Sequence, residues 1–213
     1  MNNEQMTTSL DDYITGLFGQ DDEALRWIQS EADRNDLPQI SVKPFEGRLL
    51  QILVHAVGAR KIVEIGTLAG YSGTWLARAL PADGKLFTLE RSSKHADVAR
   101  ASFQRSGVAD KIEIILGDAT ESLRKLSAQK PFDFVFLDAD KTGYLKYLDW
   151  AVENLRPGGI VAAHNALRHG KILAPENDDD KAMVAFNKAL ADNKRLDSTI
   201  IGVGDGLAVG ILK

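Results

Sequence analysis

A short apolar run that opens into a glycine-rich turn constrains this chain more than any other feature. Lys61–Ile65 is predicted to be a buried strand, and a helix is predicted over Tyr71–Leu80. The turn between them holds Gly66 and Gly70, and with Gly73 the spacing is G-x-x-x-G-x-x-G. Glycine lets a backbone approach a ligand closely, and the first turn of a helix offers free N–H groups. The stretch is typical of the strand-to-helix turn at which open α/β sheets bind nucleotide-like ligands.

The glycine spacing and the next strand narrow the choice of ligand. Turns that grip a pyrophosphate read G-x-G-x-x-G, which is not the spacing found here and which argues against a NAD-dependent dehydrogenase. The second predicted strand, Lys85–Leu89, is followed by Glu90, whose carboxylate can accept hydrogen bonds from both hydroxyls of a ribose. A ligand with ribose and adenine but no diphosphate fits both observations. S-adenosylmethionine is such a ligand.

Strand-like runs alternate with helical patterns after Gly58, which predicts an α/β fold with a mostly parallel sheet and helices on both faces. The predicted strands are Lys61–Ile65, Lys85–Leu89, Lys111–Leu116, Phe132–Leu137, Gly159–Ala163, Ser198–Val203 and Leu207–Leu212. The predicted helices between them are Tyr71–Leu80, Ser93–Ser106, Thr120–Ala128, Tyr144–Leu155 and Asp180–Asn193. Only Gly204-Asp205-Gly206 separates the last two strands, so they are expected to form an antiparallel hairpin.

The N-terminal part has a different pattern. Helical periodicity is found over Leu10–Phe18, Asp22–Asp33 and Pro44–Val57. We expect a single domain of 213 residues, with a helical cover over 1–58 and an α/β core over 59–213. The acidic run 176–180 is expected to be a solvated loop.

Composition excludes several classes. The net charge of −4 argues against a protein that coats nucleic acid, and the absence of cysteine excludes disulfides and thiolate metal sites. No apolar run approaches the roughly 18 residues of a membrane span. The first residues, MNNEQMTTSLDDY, lack the basic and apolar regions of a signal peptide, so a cytoplasmic protein is expected.

Polar residues follow the first five predicted strands. Ligands of open α/β sheets lie beyond the carboxyl ends of the strands, where these residues are expected to converge. A single acidic residue at such a place is more often a helix cap, and Asp118 is predicted either to cap the next helix or to hold an adenine amino group. Five polar strand ends at one edge are harder to explain by capping alone. They are Gly66, Glu90, Gly117-Asp118, Asp138 and His164-Asn165, with Glu64 inside the first strand near the same edge.

The residues that follow the fourth and fifth predicted strands are candidates for metal binding and catalysis. Asp138 and the pair His164-Asn165 follow adjacent strands, so their side chains are candidates to meet around one divalent cation. Carboxylate and amide oxygens are the ligands that hard cations prefer. Lys141 is a candidate base if burial lowers its pKa, and the alternative is a surface lysine paired with Asp140.

These motifs resemble the cation-dependent O-methyltransferases that use S-adenosylmethionine, the group of the caffeoyl-CoA and catechol O-methyltransferases and their small bacterial relatives. The resemblance runs from about Ile40 to the C-terminus through VEIGTLAGYS, LERS, GDATESL, FLDADKTGYLKYL, LRPGGIVAAHN and GDGLAVGILK. It implies a seven-stranded class I methyltransferase (Rossmann-like) sheet, usually in a homodimer. It also implies transfer of a methyl group from S-adenosylmethionine to a hydroxyl of a small catechol-like or vicinal-diol acceptor.

The resemblance assigns roles to residues that match the family's motifs. Asp138 would serve both the amino group of the cofactor and the metal, and Lys141 would accept the hydroxyl proton. The remaining cofactor contacts would be Val42 and Lys43 near the cofactor, Glu64, Gly66 and Ser72 at its methionine part, Glu90 at the ribose, and Asp118 and Ala119 at the adenine.

The chain departs from the family at two positions. The family's Asp-Asn metal motif is His164-Asn165 here, and its following tryptophan is Arg168. Imidazole removes a negative charge, which disfavours Mg²⁺ or Ca²⁺ and suits Mn²⁺, Fe, Zn or Ni better. Three hypotheses stay open: His164 ligates a transition metal, it acts as a base or hydrogen-bond donor without metal, or Mg²⁺ binds weakly through Asp138 and Asn165.

Three further alternatives concern the acceptor and the activity. Arg168 and His169 either meet an anionic acceptor or belong to a solvated loop. Some bacterial relatives methylate a hydroxyuridine of tRNA, an activity that the negative net charge disfavours. The third possibility is a cofactor-binding protein with a degenerate metal site and no catalysis.

Overall fold

A seven-stranded sheet forms the centre of the fold, in the order β3-β2-β1-β4-β5-β7-β6. A computed structural model describes residues 9–213. The N-terminal stretch that was searched for a signal peptide includes residues 1–8, which lie outside the described part. The strands are β1 Lys61–Ile65, β2 Lys85–Glu90, β3 Ile112–Leu116, β4 Phe132–Leu137, β5 Leu155–Ala163, β6 Leu196–Ile201 and β7 Leu207–Leu212. The helices are α1 Leu10–Phe18, α2 Glu23–Arg34, α3 Pro44–Ala56, α4 Tyr71–Ala79, α5 Ser93–Arg105, α6 Ala119–Leu126, α7 Tyr144–Asn154 and α8 Asp178–Asp192.

The central strands are mainly apolar because both faces of the sheet are covered. Ile62 and Phe134 are partners across β1 and β4 and pack in the core on one face. Val63 and Val135, the next pair along, pack in the core on the other face. The predicted α/β class is confirmed, because successive side chains of these strands alternate between two helix-covered layers.

The C-terminal hairpin is confirmed as well. β7 pairs antiparallel with both β5 and β6, so it is the one strand that runs against the rest of the sheet. β6 lies two residues earlier than predicted, because Val203 donates its N–H to Ile201 O and belongs to the turn. This turn brings Asp205 to the carboxyl end of β5, where Ala166 N and Leu167 N donate to the carbonyls of Gly206 and Asp205.

The start of β5 and the start of α8 differ from the sequence prediction. β5 begins at Leu155 and not at Gly159, because Leu155 pairs with Phe132 before a register shift in the β4 ladder. The prediction of a solvated loop over 176–180 is wrong for its last three residues, because Asn177 caps α8 and the helix begins at Asp178. Asp180 is fully buried there.

The N-terminal helices differ in how many of their side chains are buried against the rest of the fold. α2 buries Leu25, Ile28 and Ala32, and α3 packs against α4 with Gly47 facing Trp75. α1 buries no residue. Among residues 9–213, no helix has the length and apolarity required to cross a bilayer.

Candidate active site

A cavity of about 500 Å³ opens beyond the carboxyl ends of β1 to β5. The strand ends are level because the parallel ladder continues one residue past each strand: Asp138 N donates to Ile65 O, and His164 N donates to Leu137 O. The predicted convergence of polar strand ends is confirmed. Of the predicted site residues, the cavity is lined by Val42, Gly66, Ser72, Glu90, Asp118, Ala119, Asp138, Lys141 and Asn165.

The turn after β1 carries the closest backbone approach in the site. Gly66 has a φ of +102°, and a Cβ there would lie 2.0 Å from the carbonyl oxygen of Asp138. Only glycine tolerates both the conformation and the contact. The turn therefore holds the ends of β1 and β4 together at the base of the cavity.

Glu90 is held rigidly at the end of β2. Its Oε2 accepts from Leu68 N at 2.9 Å, and its Oε1 accepts from Ser92 N at 2.8 Å. With both carboxylate oxygens fixed by backbone N–H groups, the side chain is aimed into the cavity without needing a ligand to order it. This is the arrangement that a ribose-binding carboxylate requires, and the ribose role stays a prediction.

Asp118 caps a helix, as one of the two predicted roles requires, and it also lines the cavity. Its side chain accepts from Glu121 N at 3.1 Å and caps α6. It lines the cavity together with Ala119. Capping therefore does not exclude the predicted contact with an adenine amino group.

Two predicted cofactor residues do not line the cavity. Lys43 is half-exposed, and its ammonium group pairs with Asp11. Glu64 is fully buried behind Ser72, whose Oγ donates to Glu64 Oε1 at 2.7 Å, while Thr88 Oγ1 donates to Oε2 at 2.7 Å. Burial raises the pKa of Glu64 to about 7, despite these hydrogen bonds. Any contact of Glu64 with a ligand therefore runs through Ser72.

Lys141 is buried and not a surface lysine. Its Nζ lies 2.6 Å from the Tyr144 hydroxyl and 3.4 Å from Asp138 Oδ1. The Tyr144 hydroxyl donates to Leu137 O at 2.9 Å, so it accepts from Lys141. Asp140, the alternative partner of Lys141, accepts instead from Tyr147 at 2.9 Å. Burial lowers the pKa of Lys141 despite the opposing charge of Asp138, as a base requires.

His164 lies beneath the cavity and is not part of its lining. Its Nε2 is 3.2 Å from Glu46 Oε2, and its Nδ1 is 3.3 Å from Asp138 Oδ2. The Nδ1 contact is an ion pair without the alignment of a hydrogen bond. Burial lowers the pKa of His164, but the two carboxylates outweigh it and raise the pKa to about 9.

Sequence reasoning missed Glu46. Its position was visible as a helix-capping glutamate, because Glu46 Oε2 accepts from Lys43 N at 2.7 Å at the start of α3. Its contact with His164, 118 residues away, carries no sequence signal.

The loop after β5 supplies the last cavity residues. Asn165 has a φ of +57°, and its amide donates to Asp205 Oδ2 at 3.2 Å. Arg168 lines the cavity, with its Nε donating to the buried Asp180 at 3.1 Å. The side chain of His169 is exposed to solvent. Of the two residues weighed for an anionic acceptor, only Arg168 is in place to meet one.

The predicted cation ligands are not gathered into one centre. Within residues 9–213, no group of three His, Cys, Asp or Glu side chains has an arrangement that holds a metal ion. Asp138 and Asn165 line the cavity, whereas His164 faces Asp138 and Glu46. The metal assignment stays a prediction.

The strand order with its single antiparallel strand, and the crevice at the carboxyl ends of β1 to β5, define a class I methyltransferase fold. A sequence model of the O-methyltransferase family matches residues 17–212. The chain belongs to this family, and the resemblance found in the sequence is confirmed.

Two curated relatives and one solved structure show how much of the chain is shared. The catechol O-methyltransferase of Niastella koreensis is 41% identical, over 99% of this chain and 100% of its own length. The catechol O-methyltransferase of Mycobacterium tuberculosis is 38% identical, over 100% of this chain and 99% of its own. The O-methyltransferase of Bacillus cereus, solved in complex with SAH, is 36% identical with a TM-score of 0.91, over 97% of this chain and 98% of that chain.

Proposed function

We propose that this O-methyltransferase transfers a methyl group from S-adenosylmethionine to a hydroxyl of a small, catechol-like or vicinal-diol acceptor. The observation that carries the proposal is the pairing, in one cavity, of a fixed ribose-type carboxylate, Glu90, with a buried lysine, Lys141. Relatives named for catechol O-methylation support the choice of acceptor.

The charges of the cavity suit this cofactor. Glu90, Asp118 and Asp138 line it, and Glu64 stands behind Ser72. S-adenosylmethionine carries a sulfonium and an ammonium group and only one carboxylate, so the carboxylates around the cavity stabilise its net positive charge. We assign the ribose to Glu90, the adenine to Asp118 and Ala119, and the methionine part to Gly66, Ser72 and Asp138.

The reaction is an in-line displacement at the sulfonium methyl. The acceptor oxygen forms a bond to the methyl carbon, the bond from carbon to sulfur breaks, and S-adenosylhomocysteine leaves with the electron pair on sulfur. The hydroxyl proton passes to Lys141 Nζ, whose lowered pKa makes the neutral amine accessible. The enzyme otherwise acts by holding oxygen, carbon and sulfur in line.

A divalent cation held by Asp138 and Asn165 would lower the pKa of the acceptor hydroxyl and help to orient it. Asp138 and Asn165 are the predicted ligands that line the cavity, and Asp140 is engaged by Tyr147 and Thr142. One carboxylate, already in contact with Lys141 and His164, and one amide make a poor donor set for a hard cation. These residues do not fit Mg²⁺ or Ca²⁺ well, so the proton transfer is assigned to Lys141 alone.

The test uses purified protein with S-adenosylmethionine and a panel of catechols, with product detected by mass spectrometry. We expect methylated catechol from the wild type, loss of S-adenosylhomocysteine binding in Glu90→Ala, and loss of turnover with retained binding in Lys141→Met. Retained turnover in both variants would show that the reaction does not use this site.

We also propose a homodimer. α1 buries no residue and leaves Leu10, Tyr13, Leu17 and Phe18 exposed. Four exposed apolar side chains on one short helix favour a second copy of the chain as cover. Light scattering should give twice the chain mass for the wild type, and Leu17→Lys with Phe18→Lys should shift it towards the monomer. A monomeric wild type at micromolar concentration would refute the dimer.

A further inference from the structure

The cavity holds a permanent cation near the proposed base. Among residues 9–213, the lysine and arginine side chains that line the cavity are Arg91, Lys141 and Arg168. Arg91 directly follows Glu90, so it lies at the end assigned to the ribose. Lys141 must be a neutral amine to accept the hydroxyl proton in the proposed reaction. Arg168 stays charged, because a guanidinium does not lose its proton in proteins.

Arg168 lies close enough to Lys141 for its charge to act there. Burial is the main cause of the lowered pKa of Lys141, and the positive charge of Arg168 lowers it further. Arg168 is therefore at the end of the cavity where the reacting hydroxyl must lie. An acceptor with its hydroxyl at Lys141 has Arg168 within electrostatic range of its other substituents.

The guanidinium of Arg168 is fixed along one edge and free along the other. Its Nε donates to Oδ1 of the buried Asp180 at 3.1 Å. On the same edge, Nη2 lies 4.0 Å from Asp179 Oδ2, beyond hydrogen-bond distance. Within residues 9–213, the other edge, formed by Nη1 and Nη2, makes no hydrogen bond, and the side chain is 22% exposed. Two parallel N–H donors of this kind match the two oxygens of a carboxylate.

The backbone that carries Arg168 is strained and firmly held. Arg168 and His169 have φ of +48° and +52°, in the left-handed region that residues other than glycine rarely adopt. Arg168 N donates to Asn165 O at 3.2 Å, and His169 N donates to the carboxylate of Asp205. Strained residues that their surroundings hold in this way cluster at ligand sites.

A purely structural ion pair between the loop and α8 is the alternative. Such a pair would be complete with Nε and Asp180, and it would leave the Nη1–Nη2 edge of a cavity-lining guanidinium without a partner. Coulomb energy falls with distance. A carboxylate at the free edge would therefore be attracted by the guanidinium that it touches more than it is repelled by Asp180 at the opposite edge.

We propose that Arg168 binds a carboxylate of the acceptor through Nη1 and Nη2, so that the preferred acceptor is a catechol carboxylic acid with its reacting hydroxyl at Lys141. This inference rests on the proposed function and names its substrate class. Asp180 is a positioning residue, because it holds Nε and touches no substrate. Asp179 competes weakly with the acceptor for Nη2.

The first measurement compares three catechol carboxylic acids with their neutral primary amides in methyl transfer. The carboxylate is attached to the ring directly, through one carbon or through two carbons, so that the series covers different reaches to Arg168. For the best acid, kcat/KM is expected to exceed that of its amide on the order of 10- to 100-fold, mainly through KM, because hydrogen bonds between charged groups are lost in the amide. A wild type that prefers no acid over its amide would overturn the proposal.

Two variants remove the cation. Arg168→Met should bring kcat/KM of the acid down to that of its amide. Because this change leaves the buried carboxylate of Asp180 unpaired, Arg168→Met/Asp180→Asn provides a second variant that removes both charges. An acid preference that persists in the folded double variant would overturn the proposal.

Asp179→Asn tests the proposal in the opposite direction. Removing this exposed competitor should raise the acid-to-amide ratio of kcat/KM about 2- to 5-fold, the range of a surface ion pair. Asp178→Asn is the matched control, because Asp178 is an exposed acid in the same first turn of α8 that makes no ion pair with Arg168. It should keep the wild-type ratio. A ratio that does not rise in Asp179→Asn would show that the acid does not use Nη2, which would overturn the proposal.

A binding measurement separates this proposal from the proposed function. The best acid and its amide are titrated calorimetrically into protein saturated with S-adenosylhomocysteine. The acid should bind at least on the order of 10-fold more tightly, and the double variant should remove the difference. If this difference is found but no catechol is methylated, the proposed function fails and the carboxylate site stands. An acid that binds no more tightly than its amide overturns the carboxylate site, whether or not either is methylated.

Discussion

The contacts of His164 with Asp138 and Glu46 make the stability of this protein depend on pH. The pKa of His164 is about 9 in the folded protein against 6.5 for an ordinary histidine. A raised pKa means that the folded state holds the proton more tightly than the unfolded state does. The stabilisation is fully present below pH 6.5 and is lost as pH rises through 9. The shift corresponds to about 3 kcal/mol of unfolding free energy, and little of it is screened because the ring is buried.

The assay is urea unfolding at pH values from 6 to 9.5, on the wild type and on His164→Gln. Other groups titrate in the same window, so the difference between the two curves is the quantity that isolates His164. We expect the wild type to lose about 3 kcal/mol relative to His164→Gln across this range.

Glu46→Gln provides a matched variant. It keeps an acceptor for Lys43 N, and so the cap of α3, but removes one of the charges that hold the His164 proton. The pH-dependent difference should therefore shrink while α3 remains folded. Wild-type and His164→Gln curves that run parallel over the whole range would refute the reasoning, because His164 would then have the same pKa folded and unfolded.

Three further predictions concern the cavity. Lys141→Met should lower kcat about 10²- to 10⁴-fold, the usual contribution of a positioned base, with S-adenosylhomocysteine affinity unchanged by calorimetry; an equal loss of affinity would make Lys141 a binding residue. Since burial raises the pKa of Glu64 to about 7, S-adenosylmethionine should bind more weakly as pH falls from 8 to 6, by up to about tenfold per unit, and Glu64→Gln should flatten this profile. Arg168→Met should reduce kcat/KM for carboxylated catechols more than for catechol itself, because a guanidinium pairs with carboxylates; equal losses for both acceptors would place Arg168 outside acceptor recognition.

Much of the fold and of the cavity wall follows from local sequence pattern. The strands from Lys61 to Leu137 are readable because buried parallel strands are continuous apolar runs, and the turn at Gly66 is readable because only glycine suits it. Glu90 and Asp138 are found in the same way, since the residue after each strand must lie at one edge of the sheet. These signals need no knowledge of distant contacts.

The packing of distant segments decided the rest. No local pattern distinguishes Tyr144 from Asp140 as the partner of Lys141, and nothing near Asp180 indicates that it is buried against Arg168. The choice of His164 between cavity ligand and buried cation depends on Glu46, which α3 brings from the other end of the chain. Periodicity and turn chemistry determine which elements form and which residues end them. Side-chain partners, burial and therefore pKa values are set only when those elements pack, because each depends on the charges and dielectric that non-local neighbours create.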